Sequence, residues 1–160
     1  MRRLIAAFLI VLCALPSLVL AQQEEERPDF ATDTLAIETA SGESHGFDIE
    51  IARTNAERGY GLMFVREMAP DRGMLFDYGR EQRVSMWMRN TYVPLDMLFI
   101  EKDGEIESII ERAAPHTRTP RPSKGRVLAV LELKGGTAQR LGIEPGDRVL
   151  HAMFGTAVTD

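Results

Sequence analysis

Between residues 58 and 96 the chain places Arg58 and Arg66, then Trp87, Asn90, Thr91 and Asp96. Should the arginines meet the Asn90–Asp96 turn in space, they would frame a polar pocket, because a guanidinium pairs with carboxylate or phosphate in forked geometry. The plainer account is structural: Asn and Asp side chains bond to nearby backbone and anchor turns, and Arg58 and Arg66 would pair with carboxylates to hold a helix to a sheet. Met86 and Met88 stand two apart, so on a strand their thioethers share a face. Soft sulfur favours Cu(I) in an oxidising compartment, with Met63 and Met74 as further ligands. Methionine packing beside Trp87 explains the same residues without a metal and is the preferred reading, so no cofactor is implied.

A third group is cationic. Residues 112–126 hold Arg112, Arg118, Arg121, Lys124 and Arg126 with no acid and three prolines. Proline spacing favours an extended, exposed loop. Arg118, Arg121 and Lys124 are candidates for binding an anion or a partner, against the alternative of a solvated connection that keeps a sheet edge soluble. Catalysis finds less support. His45, His116 and His151 lie in no arrangement that identifies a base beside a nucleophile, and two acids such as Asp77 and Asp96 are no signal among 24.

The segment that precedes these residues reads as an export signal. Met1-Arg2-Arg3 leads into an uncharged apolar run, and Val19 and Ala21 are small residues at a cleavage site, so residues 1–21 are expected to be removed. The alternative is a retained anchor over residues 4–21, just long enough to cross about 30 Å of hydrocarbon at about 1.5 Å per residue. The one Cys, Cys13, goes with the signal, which excludes a disulfide framework and a Cys-clustered zinc site. Loss of Arg2 and Arg3 takes the formal charge from -5 to -7. That acidity disfavours nucleic acid as a partner. Residues 22–33 open on Gln-Gln-Glu-Glu-Glu-Arg and read as a disordered leader.

The elements that must position the candidate residues are mostly strands, expected at 34–40, 46–53, 73–77, 83–89, 95–101, 105–111, 126–134 and 147–154. Phe47, Ile49 and Ile51 alternate with Asp48 and Glu50, as a half-buried strand requires. Asp103-Gly104 supplies a hairpin turn between the fifth and sixth strands. Thr54 and Glu57 match a capping box and predict a helix from Asn55 to Gly61. A second short helix is expected from Gly136 to Leu141, stopped by Gly142. Eight short strands and little helix give a mainly antiparallel β-sandwich or barrel-like domain over residues 34–157.

Four blocks then carry a resemblance: Glu57-Arg58-Gly59-Tyr60-Gly61-Leu62-Met63 with Arg66; Gly73-Met74-Leu75-Phe76; Trp87-Met88-Arg89-Asn90-Thr91-Tyr92-Val93-Pro94-Leu95-Asp96; and Val130-Leu131-Glu132-Leu133 leading to Gly135, Gly142, Gly146 and Asp147. Their order and spacing resemble the bacterial and archaeal family catalogued as domain of unknown function 192, also called uncharacterised protein family 0127. The resemblance implies a small β-sandwich domain, often exported, with no established activity. Met86, where an aromatic is common, and the basic loop depart from the family pattern. The resulting reading is an exported module that binds a small polar or anionic ligand or an envelope protein, with an envelope-associated hydrolase and a methionine-based Cu(I) binder as alternatives.

Overall fold

The protein is described by a computed structural model over residues 26–156. The expected signal segment and residues 22–25 of the leader lie outside the described residues. The fold is mainly β, as expected. The described residues form nine strands: β1 (Ala31–Glu38), β2 (Ser44–Ala52), β3 (Arg72–Gln82), β4 (Ser85–Met86), β5 (Leu95–Ile100), β6 (Ile106–Ala113), β7 (Arg121–Pro122), β8 (Val127–Lys134) and β9 (Arg148–Leu150). Two short helices, α1 (Asn55–Tyr60) and α2 (Thr137–Leu141), and one 3-10 turn (Ala152–Phe154) accompany them. No helix among the described residues is long and apolar enough to cross a membrane.

Seven strands make one curled sheet in the order β6-β5-β8-β3-β2-β1-β9, and β4 pairs with β7 in a second, two-stranded sheet. The curl brings the sheet's ends together: the Ile106 amide donates to the Asp147 carbonyl, and the Val149 amide to the Gly104 carbonyl. The core is therefore that of a half-barrel, the barrel-like form of the expected fold. One pairing departs from the antiparallel pattern. β2 and β3 run parallel because α1 carries the chain across between them.

Residue type explains these elements locally. Thr54 caps α1: its hydroxyl accepts from the Glu57 amide at 3.1 Å, and the Glu57 carboxylate accepts from the Thr54 amide at 2.9 Å. Gly104, at φ +89°, closes the β5–β6 hairpin, where a Cβ would stand 2.5 Å from the Val149 carbonyl oxygen. Only glycine fits that turn and that approach together.

Other boundaries moved for physical reasons. β1 starts at Ala31, inside the expected leader, because Phe30 is buried in the core and Arg27 reaches Glu50 at 2.6 Å. The strand expected at 83–89 shrinks to Ser85–Met86, because its partner in the basic loop, β7, contains Pro122 and is flanked by Pro120, which leaves few amides to extend a ladder. The last expected strand divides into β9 and the 3-10 turn, where His151 caps by accepting the Met153 amide at 3.1 Å.

Asp96 sits on β5, fully buried, and ties three segments together. Its carboxylate accepts from the amides of Arg112 at 2.8 Å, Gly136 at 2.9 Å and Ala138 at 2.9 Å, joining the ends of β6 and β8 to the start of α2. Asp96→Ala is expected to lower unfolding free energy by roughly 3 kcal/mol or more, since buried amides would lose a charged acceptor. Urea unfolding of the variant against the parent measures this, and a loss below about 1 kcal/mol would contradict the anchoring role.

Candidate functional site

Strands β3, β5 and β8 lie mid-sheet and are buried on both faces. Leu75, Leu98 and Leu131 face one core cluster, while Met74, Phe76, Met97, Phe99 and Val130 face the other. The second cluster is roofed by the chain after α1 and by the segment 84–93. Glu132 belongs to that second face by strand alternation, beside Val130 and opposite Met74 on β3 and Met97 on β5. It is the one charged residue in Val127–Leu133.

Burial alone dominates its chemistry. With its charged form desolvated and only the nearby Arg121 guanidinium favouring ionisation, the Glu132 carboxyl is pushed up to about 8. No hydrogen bond to the described residues holds it. It opens instead into a narrow cleft of about 20 Å³ whose walls include Arg58, Tyr60, Met63, Met86, Trp87, Arg89 and Thr91. That volume is about what one water molecule occupies. The adjoining Tyr78 hydroxyl is pushed up to about 12, by burial first and by the Glu132 charge second, and donates to the Met86 sulfur at 3.3 Å.

The expected site residues divide. Arg58, Trp87 and Thr91 line the cleft. Arg58 is spent on structure: it donates to the carbonyls of Arg53 and Asp77 and to Asn55 Oδ1, and stacks on Tyr78 at 5.1 Å. The Thr91 hydroxyl donates to the Arg89 carbonyl at 3.3 Å. Asn90 stands behind the wall, its amide 3.9 Å from the Met63 sulfur, and Arg66 lies over the Tyr92 ring at 4.6 Å. Asp96 does not line the cleft, and its oxygens are taken by backbone amides. Of the cationic loop, Arg121 faces Met86 across the β4–β7 pair and donates to Thr117, and the Lys124 carbonyl accepts from Arg83. No ion pair among the described residues involves Arg118, Arg121 or Lys124. Met86 and Met88 are both buried, but β4 ends at Met86, so strand alternation does not place Met88, and only Met86 reaches the cleft.

An aromatic surface adjoins the cleft through Tyr60. Among the described residues only Phe64 (45%) and Trp87 (49%) are large hydrophobics left exposed. Phe64 stands 6.0 Å from Tyr60 and 6.4 Å from Tyr92, whose ring meets His116 edge-on at 4.7 Å. Phe64, Asn90 and His116 all have left-handed backbones, at φ +65°, +54° and +56°. Three separate loops are braced here, the Phe64 amide donating to the Asn90 carbonyl at 2.8 Å and the His116 amide to the Thr91 carbonyl at 3.2 Å. Strain held in this way by cross-bracing is characteristic of functional surfaces.

Sequence reasoning did not select Glu132, although a lone acid inside an apolar strand was a legible signal. It could not select Phe64, Tyr92 and His116, which lie far apart in the chain. It also passed over Gly42-Glu43-Ser44-His45-Gly46, which has the spacing of a nucleophile elbow; these residues form the β1–β2 hairpin turn and the start of β2, without the strand-to-helix turn that would present the serine. Two wider grooves, of about 570 and 600 Å³, flank His151 with Asp33 and Arg112 with Arg140. Neither contains a buried, unpartnered ionisable group, so the Glu132 cleft is the stronger candidate despite its size.

Residues 36–151 match the family of uncharacterized proteins designated domain of unknown function 192. The chain belongs to this family. The match spans all of the cleft and the aromatic face. Similar solved structures include a Sinorhizobium meliloti protein provisionally named a transcription regulator, at 48% identity and a TM-score of 0.77, covering 79% of this chain and 98% of that one. Another is a Novosphingobium aromaticivorans protein of unknown function, at 42% identity and a TM-score of 0.72, covering 75% of this chain and 85% of that one. No curated protein matches the chain.

Glu132 sets a pH-dependent stability. Because the folded carboxyl titrates near 8 against 4.5 when exposed, the folded state holds its proton more tightly, and stability should fall as pH rises from about 4.5 to about 8. Glu132→Gln should flatten that slope and gain on the parent by roughly 5 kcal/mol at most above pH 8. Urea unfolding at pH 5 and pH 8.5 measures it; parallel slopes for the two proteins would refute the buried-acid assignment.

Proposed function

We propose that this chain is an exported binding module that docks an acidic, aromatic-containing protein segment on the Phe64–Trp87 face, with the Glu132 cleft receiving one polar group from it. The observation that carries this reading is the Glu132 carboxyl, without a hydrogen-bond partner among the described residues, on a cleft lined by the exposed Trp87 and by Tyr60, whose ring stands 6.0 Å from the exposed Phe64. A cleft of about 20 Å³ is too small to enclose a metabolite, whose pockets are typically about 300 Å³ or more. A partner laid across the rim fits better than an engulfed ligand. Charge complementarity selects its chemistry: Arg66, Arg89 and Arg121 surround the aromatics in a chain of net charge -5, and no carboxylate forms an ion pair with them among the described residues. Aromatic and Arg side chains are those that most often dominate protein interfaces.

The hydrolase alternative draws on the same acid, since a carboxyl titrating near 8 is a competent proton donor at neutral pH. The described residues lining the cleft include no Ser, Cys or His, and Thr91 is already engaged by a carbonyl. Binding therefore accounts for more of the site. The provisional description of the Sinorhizobium meliloti protein is not extended to this chain, because the acid excess opposes a phosphate backbone.

Trp87 is the one Trp of the chain and reports directly on docking. Displayed random peptides selected on the mature protein should converge on acidic sequences with an aromatic, and a synthetic peptide of that type should shift Trp87 emission. Phe64→Ala and Arg66→Glu should each weaken binding about 10-fold or more. Selected peptides without acids, or affinities unmoved by both changes, would refute the docking face. Export has its own readout: N-terminal sequencing of the protein recovered from the periplasm or medium should begin at Gln22, whereas recovery of an intact Met1 end in the membrane fraction would support the retained anchor.

A further inference from the structure

The groove between Arg112 and Arg140 is cationic. Arg112, Lys134 and Arg140 line it, no acid does, and none of the three forms an ion pair among the described residues. Acids outnumber bases 24 to 19 in this chain, so three unpaired cations in one acid-free groove are not a consequence of composition. Asp96 is absent from the lining, and its oxygens are engaged by the amides of Arg112, Gly136 and Ala138.

Arg112 is held in place from several sides. Its φ is +46°, and its amide donates to Asp96 Oδ1 at 2.8 Å, which secures a left-handed backbone that few residues other than glycine adopt. Its guanidinium lies against Gly136, where a Cβ would stand 3.2 Å from both Nε and Nη2. With φ at +90°, Gly136 makes the turn and leaves the guanidinium its seat. Nη2 of Arg112 donates to Gln139 Oε1, which turns the Gln139 amide nitrogen free of the described residues. Thr137 is 2% exposed and lines the groove, yet its hydroxyl makes no hydrogen bond to the described residues. A polar side chain this buried is normally paired within the protein.

We propose that this groove binds a small phosphate monoester, its dianionic head held by Arg112, Lys134, Arg140 and the Thr137 hydroxyl. A phosphate monoester carries about 1.5 to 2 negative charges near neutral pH, against one for a carboxylate, and so matches three cations better. Arginine supplies forked donors and lysine a point charge, both suited to terminal phosphate oxygens. The groove's volume of about 600 Å³ lies within the range of about 300–1,000 Å³ for small-molecule sites, so an organic body fits beside the head. The groove shares no lining residue with the Glu132 cleft, so the inference stands apart from peptide docking.

The test is an amide NMR titration of the protein with phenyl phosphate at about 150 mM salt, where loose counterion attraction is screened. Phenyl sulfate, a monoanionic ester, and phthalate, a dicarboxylate, are titrated beside it. Phenyl phosphate should saturate at millimolar concentration or below, with shifts concentrated at Gly135, Gly136, Thr137 and Gln139. The other two anions should each bind about 10-fold or more weakly. Arg112→Gln and Arg140→Gln should each weaken phenyl phosphate about 10-fold, and Thr137→Val should weaken it while Thr137→Ser does not. Arg118→Gln, outside the groove, should leave binding unchanged. The shifts in the unmodified protein do not depend on any variant folding. Equal affinity for the three anions, tighter binding of phthalate, or shifts that fail to saturate or map elsewhere would overturn the phosphate-monoester site.

Discussion

The double-sided burial of β3, β5 and β8 is the constraint from which the rest of this molecule follows. A half-barrel needs to fill only the inside of its curl, and Leu75, Leu98 and Leu131 do so. The same strands also present Met74, Phe76, Met97 and Phe99 outward, and that apolar surface must be covered. Apolar burial at about 25 cal/mol per Å² gives the chain after α1 and the segment 84–93 strong reason to fold back over it. The roof created in this way places Trp87, Arg89 and Thr91 above Glu132. A cleft exists because a roof of loops packs less completely than a sheet.

Two carboxylates on neighbouring strands show how environment decides role. Asp96 and Glu132 are both buried on central strands, and their Cα partners in the β5–β8 ladder are adjacent: Asp96 opposite Leu133, Glu132 opposite Met97. Asp96 faces three free backbone amides at the ends of elements and becomes a structural tie. Glu132 faces a narrow opening, with no amide hydrogen-bonded to it, so burial raises its pKa opposed only by Arg121. The first satisfies backbone that would otherwise be orphaned. The second is a destabilising feature of the isolated fold, of the type that persists at functional sites.

Local rules were legible wherever the determining partners lie within a few residues. Thr54 and Glu57 cap α1 as their spacing requires, Asp103-Gly104 turns the hairpin, and Gly142 ends α2 with a left-handed backbone. Alternation placed Phe47, Ile49 and Ile51 on one face. The parallel β2–β3 pair was not legible, because it depends on where α1 returns the chain. Nor was β7, whose two residues pair with β4 from 35 and 37 positions away in a proline-rich stretch. Among the candidate site residues, Arg58, Trp87 and Thr91 were near enough in sequence to the roof to be found together.

By itself the sequence determined the β-rich class, the family and the short-range caps and turns, since each is encoded in periodicity, motif spacing or neighbouring side chains. It also carried the mark of Glu132, an acid in an otherwise apolar strand. Only the tertiary structure decided what that acid does, because a carboxyl's partners are set by the strands and loops packed around it and not by its neighbours in the chain. The same holds for Phe64, Tyr92 and His116, which form one surface because the amides of Phe64 and His116, from two loops, meet the carbonyls of Asn90 and Thr91 on a third. Long-range hydrogen bonds made that face, and no local pattern announces them.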